Sequence, residues 1–302
     1  MVASISALIL PFDAHNHVHM GSNTPSLALE SLSGMAVMAT HPRDFPIVLH
    51  LARKEEEKIV IPCLGVHPWF LHELTDDDWR ETQPGSSVPQ WIFNLEGLLL
   101  SSTDSMPVIG EIGLDNFHFD PISKELTSDM ETQVRALELQ LSLATKHQLP
   151  VSMHCVRAMG KLMDTLSKTK QSHSGQLPPR IYFHAFGGKA ATVDQLVKTL
   201  ETKHKKTKKK KSTNDILETK VYFGFAPIIN FESKKTLEVI QAVGLERLVL
   251  ETDHEEAAHV TSSMATGLKV ISQILGVSRE ELIRQTNLNA QDLYSPCWPN
   301  NK

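Results

Sequence analysis

Residues 107–154, PVIGEIGLDNFHFDPISKELTSDMETQVRALELQLSLATKHQLPVSMH, decide the fold. Two apolar runs, Pro107–Leu114 and Pro150–His154, enclose a segment in which Leu126, Met130, Val134, Leu137 and Leu141 recur at steps of three and four. That spacing lays one apolar stripe along a helix. Ser128 and Glu131 stand at capping-box spacing near its start. Near-continuous apolar strands on either side of an amphipathic helix make a unit whose strands run parallel and are covered on both faces.

Working outward, the same kind of run recurs at Phe12–Val18, Met35–Thr40, Ile61–His67, Arg180–Phe186, Lys220–Ala226 and Arg247–Asp253. Eight strands, most of them separated by helix-length stretches, predict an α/β chain closed into a (β/α)8 TIM barrel. Ser278 and Glu281 open a further helix carrying Leu282 and Ile283. Residues 20–34 and 71–106, rich in Gly, Ser and Pro, are expected to form irregular loops. The chain has 302 residues, 41% of them hydrophobic. One barrel domain commonly takes about 250 residues, so residues 1–302 are expected to form a single domain, with a lysine-rich insertion at about 201–215.

No apolar run approaches the roughly 20 residues that span a bilayer, so no membrane segment is expected. The apolar start, Val2 to Phe12, has no basic cluster before it and does not read as a signal peptide. Cys63, Cys155 and Cys297 are too few and scattered for a disulfide framework. A cytoplasmic or nuclear protein is the expectation. Net charge is −5, but KHKKTKKKK at 203–211 contributes +7 of that, leaving −12 elsewhere. A chain that grips nucleic acid by bulk charge is basic over its binding face; this one is acidic away from a single run, so phosphate binding must come from something local such as metal ions. The run lies in a loop before a strand, on the barrel face opposite the chemistry. A solvated loop, a nuclear-import or nucleic-acid patch, and a contact for a protein partner are the readings open for it.

Histidines and carboxylates gather at the carboxyl ends of the strands. Asp13, His15 and His17 alternate, so they share one strand face. The third strand ends in Gly65-Val66-His67-Pro68, the fourth carries Gly110-Glu111-Ile112-Gly113-Leu114-Asp115, and later strands end at His154, His184 and Asp253. A lone strand histidine is an ordinary hydrogen-bonded core residue, and Glu111 or Asp253 alone could be an ion pair at the mouth. Charged groups are rarely buried unless paired or metal-bound, however. Six of them converging on one rim are poorly explained by chance, and mixed His and carboxylate sets suit Zn, Mn or Mg.

The segments FDAHNH, GVHPWF, VIGEIGLD, LPVSMHC, YFHAFGG and LVLETD, in this order and spacing, resemble the TatD-type metal-dependent hydrolases of the amidohydrolase superfamily. Residues 220–231 (KVYFGFAPIINF) and 286–290 (TNLNA) look like that family's late motifs, and the likeness covers roughly residues 10–294. The lysine insertion and the GVHPWF form look most like a eukaryotic branch. The resemblance implies one divalent ion held by His15, His17, Glu111 and Asp253, and a second held by His154, His184 and the bridging Glu111. It places His67 against the substrate and makes Asp253 the base for the attacking water. Two ions about 4 Å apart can stabilise entering and leaving oxygens while lowering the pKa of water. It thus implies a metal-dependent phosphodiesterase, a deoxyribonuclease with DNA as substrate.

The sequence departs from the pattern at the rim. Asp253 is followed by His254-Glu255-Glu256 in place of a small residue and Pro, and two added carboxylates there would repel a phosphate backbone. The aromatic pair after the fourth strand is Asn116-Phe117. His154-Cys155-Val156-Arg157 is one residue longer than the usual His-x-Arg, which keeps Arg157 from reaching substrate in the family's manner. Cys155 has no base at nucleophile spacing and is expected to be a structural thiol. A small-molecule C–N or ester hydrolase, and a non-catalytic partner-binding barrel, remain the alternatives at this point.

Overall fold

In a computed structural model, which describes residues 9–55, 57–83, 85–101, 107–201 and 218–298, eight parallel strands stand side by side in sequence order. They are β1 (Phe12–Asn16), β2 (Gly34–Met38), β3 (Ile59–Leu64), β4 (Val108–Asp115), β5 (Val151–Val156), β6 (Arg180–Phe183), β7 (Lys220–Gly224) and β8 (Leu248–Val249). Main-chain bonds from Ala14 N to Leu250 O (2.8 Å), Asp253 N to His15 O (3.0 Å) and His17 N to His254 O (2.9 Å) join the end of β8 back to β1. The sheet is therefore a barrel.

Helices of eight residues or more coat it: α1 (Phe45–Lys54), α2 (Gln90–Ser101), α3 (Met130–His147), α4 (Met159–Ser172), α5 (Ala190–Leu200), α6 (Thr236–Val243), α7 (Ala257–Leu275) and α8 (Arg279–Leu293). One apolar cluster joins strands and helices, since each element has a face it can bury only against the other. Phe12, the first residue of β1, packs on Tyr294 and Trp298 with ring centres 6.2 and 5.2 Å away, so the C-terminal segment closes the barrel bottom.

Three sequence expectations change. The 71–106 stretch is not all loop, because α2 lies within it and buries Trp91, Ile92, Leu95 and Leu99. The cap of α3 is Asp129, whose carboxylate accepts from Thr132 N at 2.9 Å. Ser128 instead accepts from His72 N at 3.1 Å, pinning the loop after β3. The strands also stop short of several functional side chains: His67, His184 and Asp253 follow the last ladder residue of β3, β6 and β8. The lysine run at 203–211 and residues 2–8 of the apolar start lie outside the described residues.

Candidate metal centre

Five strand ends bring six side chains to one rim. His15 lies on β1 and His17 just beyond it; Glu111 comes from β4 and His154 from β5; His184 and Asp253 follow β6 and β8. Two local features make room. A Cβ at Gly113 would sit 1.9 Å from the His154 carbonyl oxygen, so only glycine lets β4 approach β5 this closely. Asp253 has φ 57°, a left-handed conformation that Asp tolerates better than most residues.

The two oxygens of Glu111 serve different groups. Oε2 lies 3.3 Å from His15 Nε2 and 3.2 Å from His17 Nε2, and Asp253 Oδ1 is 3.5 Å from each of those nitrogens. Oε1 lies 3.0 Å from His154 Nδ1 and 2.6 Å from His184 Nε2, which are 3.3 Å apart. The rings of His15 and His184 stack between the groups at 3.9 Å.

Outer hydrogen bonds decide which nitrogen faces inward. His17 Nδ1 meets Met38 O at 2.9 Å and His154 Nε2 meets Asp115 Oδ2 at 2.9 Å. Both outer partners are acceptors, so those nitrogens carry protons, and in the neutral ring the inner ones have lone pairs to offer a cation. His15 Nδ1 is paired with Ser152 Oγ at 3.0 Å. Glu111 Oε1 is buried, with nitrogens of His184, His154 and His67 within 3.3 Å but none in good hydrogen-bond geometry among the described residues. A buried carboxylate oxygen and several convergent imidazole lone pairs form a donor set that fits divalent cations.

His67 differs. Its Nδ1 accepts from Trp69 N at 3.2 Å, so its neutral ring carries the proton on Nε2, 3.3 Å from Glu111 Oε1. His67, Glu111 and His154 are close enough to hold an ion between them. The tautomer argues otherwise: Nε2 faces the cage as a donor. Burial is the largest influence on His67 and holds it down at about 4, so it is neutral near pH 7.

Electrostatics follow the same geometry. Burial works against ionisation of Glu111, but His184, His67 and His15 outweigh it and keep the carboxyl well below its usual range. Burial also opposes charge on His154, yet bonds to Asp115 and Glu111 raise it to about 9. His17 is likewise raised, by Asp253 and Glu111 against burial, while burial and His184 push His15 down to about 3.

Above the cage lies a cavity of about 320 Å³, walled by Trp69, Phe70, Ile229 and Met20 among others. Cys155 lines it, but burial raises its thiol to about 12, which fits a structural thiol. Of the two added carboxylates, Glu255 borders the cavity. Glu256 turns away to accept from Ser22 N at 3.0 Å and from Asn23 Nδ2. Arg157 is not in this wall; its guanidinium lies 3.7 Å from the Phe117 ring centre.

Two residues with no assigned role in the sequence prove central. Glu251 lies beneath His15 and His184, accepting from Tyr182 Oη and from Ala185 N (2.7 Å), and burial raises it to about 8. Its alternation with Asp253 was the available signal. Asp115 accepts from His154, from Trp69 Nε1 at 2.7 Å and from the amides of Phe117 and His118, tying the cage to the rim; only its place after Glu111 hinted at this.

A family model described as TatD related DNase matches residues 12–295. The chain belongs to the TatD family. It is 24% identical to the Cut9-interacting protein scn1 of Schizosaccharomyces pombe over 96% of this chain and 98% of that protein. It is also 24% identical to the human deoxyribonuclease TATDN3, covering 86% of this chain and 83% of the relative. The solved structure of YjjV, a TatD homolog from Escherichia coli, superposes with a TM-score of 0.70 at 22% identity, covering 94% of this chain and 97% of that one. That likeness places the TatD-family member among barrels of the same fold. No described helix is long and apolar enough to cross a membrane.

Proposed function

We propose that this TatD-family protein hydrolyses phosphodiester bonds of DNA with two divalent ions, one held by His15, His17, Glu111 and Asp253, the other by His154, His184 and Glu111. One observation carries the reading: the two oxygens of Glu111 face two separate groups of lone pairs, the layout of a bridging carboxylate. Divalent ions in such a cage supply Lewis acidity and bring the pKa of water toward neutrality. Zn, Mn and Mg all suit the donors.

The protein's own groups do the rest. Asp253, held below its ordinary pKa by His17, His184 and His15 against burial, is an ionised acceptor at neutral pH and takes the proton of the attacking water. His67, neutral with its proton on Nε2, donates to a phosphate oxygen lying over the cage. Trp69, Phe70 and Ile229 exclude water from one side.

Purified protein with Mg²⁺, Mn²⁺ or Zn²⁺ should degrade DNA. EDTA, His15→Ala and Glu111→Ala should each lower the rate at least 100-fold, and equal rates in variant and wild type would remove the claim. Glu255 at the cavity wall favours a second reading, hydrolysis of a small amide or ester; a panel of nucleotides, amides and esters separates the two. The three free thiols suit a cytoplasmic or nuclear protein, which cell fractionation tests.

A further inference from the structure

The cavity over the cage opens into a second hollow of about 560 Å³, and the two share Cys155, Val156, Ala185 and Ile229. This hollow lies over the mouths of β5, β6 and β7 and carries two exposed cations, Arg157 and Lys235. Neither makes an ion pair among the described residues. Arg157 is held in place: its backbone is left-handed at φ 50°, and one face of its guanidinium lies on Phe117. Stacking leaves the in-plane N–H groups free, and those suit a phosphate. On the β8 side the wall is acidic, through Glu255. The rim therefore changes sign across the cage.

We infer that this second hollow is a subsite for a neighbouring phosphate of the nucleic-acid strand, with Arg157 and Lys235 as its ligands, so that the strand leaves the cage toward β5–β7 and away from Glu255. The inference rests on the phosphodiesterase reading and specifies it. The extra residue that sets Arg157 back from the reacting bond moves it to the next phosphate. In a chain that is acidic overall, two unpaired cations in one hollow beside the cage are the local charge that a backbone needs.

The test is oligonucleotide binding by the full chain in EDTA, followed by fluorescence anisotropy on a labelled single-stranded ten-mer across a range of salt. The Arg157→Gln/Lys235→Gln double variant should bind at least tenfold more weakly. Its slope of log affinity against log salt should be shallower by about 1.4, at roughly 0.7 per lost phosphate contact on a single strand. Lys168→Gln, on α4 beside Glu138 and outside the hollow, should keep the wild-type slope. A wild-type slope in the double variant, or an equal loss in Lys168→Gln, overturns the subsite. So does polyglutamate of matched charge that binds as tightly as the oligonucleotide with the same loss in the double variant. Binding in EDTA is read apart from turnover. Loss of cleavage alongside retained, Arg157-dependent binding would sink the proposed function and support the subsite.

Discussion

At the scale of single residues, the informative atoms are the ones turned away from the cage. His154 can offer Nδ1 inward because Nε2–H donates to the Asp115 carboxylate, and the same carboxylate raises the ring to about 9. The sign of the pH dependence follows. Below about pH 9 the metal-free protein carries an extra proton on His154, and a cation must displace it. His17 is raised in the same way. Metal affinity should therefore climb with pH up to about 9 and then level off, by up to about tenfold per pH unit for each proton released. Calorimetry at pH 7 in buffers of different ionisation enthalpy should show protons released on binding. Asp115→Asn removes the carboxylate that holds the proton, so it should release fewer and bind metal roughly 10- to 100-fold more weakly. Unchanged proton release in that variant would show that Asp115 does not govern His154. The sequence makes the inward groups visible because histidines and acids at strand ends are rare. It hides Asp115, whose role depends on a contact across two strands.

At the scale of elements, legibility tracks contrast between faces. The α3 stripe from Met130 to Leu141 stands out because the opposite face is polar. The α2 helix buries Trp91, Ile92, Leu95 and Leu99 yet exposes Phe93 and Leu100, so no polar face sets the stripe off and the period is lost. Strand lengths were overread for a related reason. In β8 only Leu248 and Val249 pair with β7, while Leu250, Thr252 and Asp253 bond to β1 instead, so main-chain pairing continues past the β7 ladder. Cap assignment turns on one residue. The carboxylate of Asp129 takes the free amide of Thr132, and Ser128 serves His72 instead. Asp129→Ala should accordingly cost about 1 kcal/mol in denaturant unfolding. Ser128→Ala should loosen the loop after β3 and leave the start of α3 protected in hydrogen exchange. The reverse pattern of protection would return the cap to Ser128.

At the scale of the whole molecule, the cage and the barrel closure are one feature. Asp13 accepts from Thr252 Oγ1 at 2.6 Å and from Thr252 N at 3.1 Å, clamping β1 to the end of β8 directly below His15 and Asp253. The proposed ligands come from β1, β4, β5, β6 and β8, so a cation there cross-links elements more than 200 residues apart in sequence. The sequence shows eight strands and their order, but not this seam, because the contact between first and last strands leaves no periodic trace. A group that binds only the folded chain stabilises it by RT ln(1 + [L]/Kd), about 2.7 kcal/mol at 100 times Kd. At roughly 2–4 °C per kcal/mol for domains approaching this size, saturating metal should raise Tm by about 5–10 °C over EDTA-treated protein. Glu111→Gln removes the carboxylate that faces both groups and should abolish most of that rise. A rise of equal size in Glu111→Gln would mean that the stabilising ion binds elsewhere and that the barrel holds its seam without the cage.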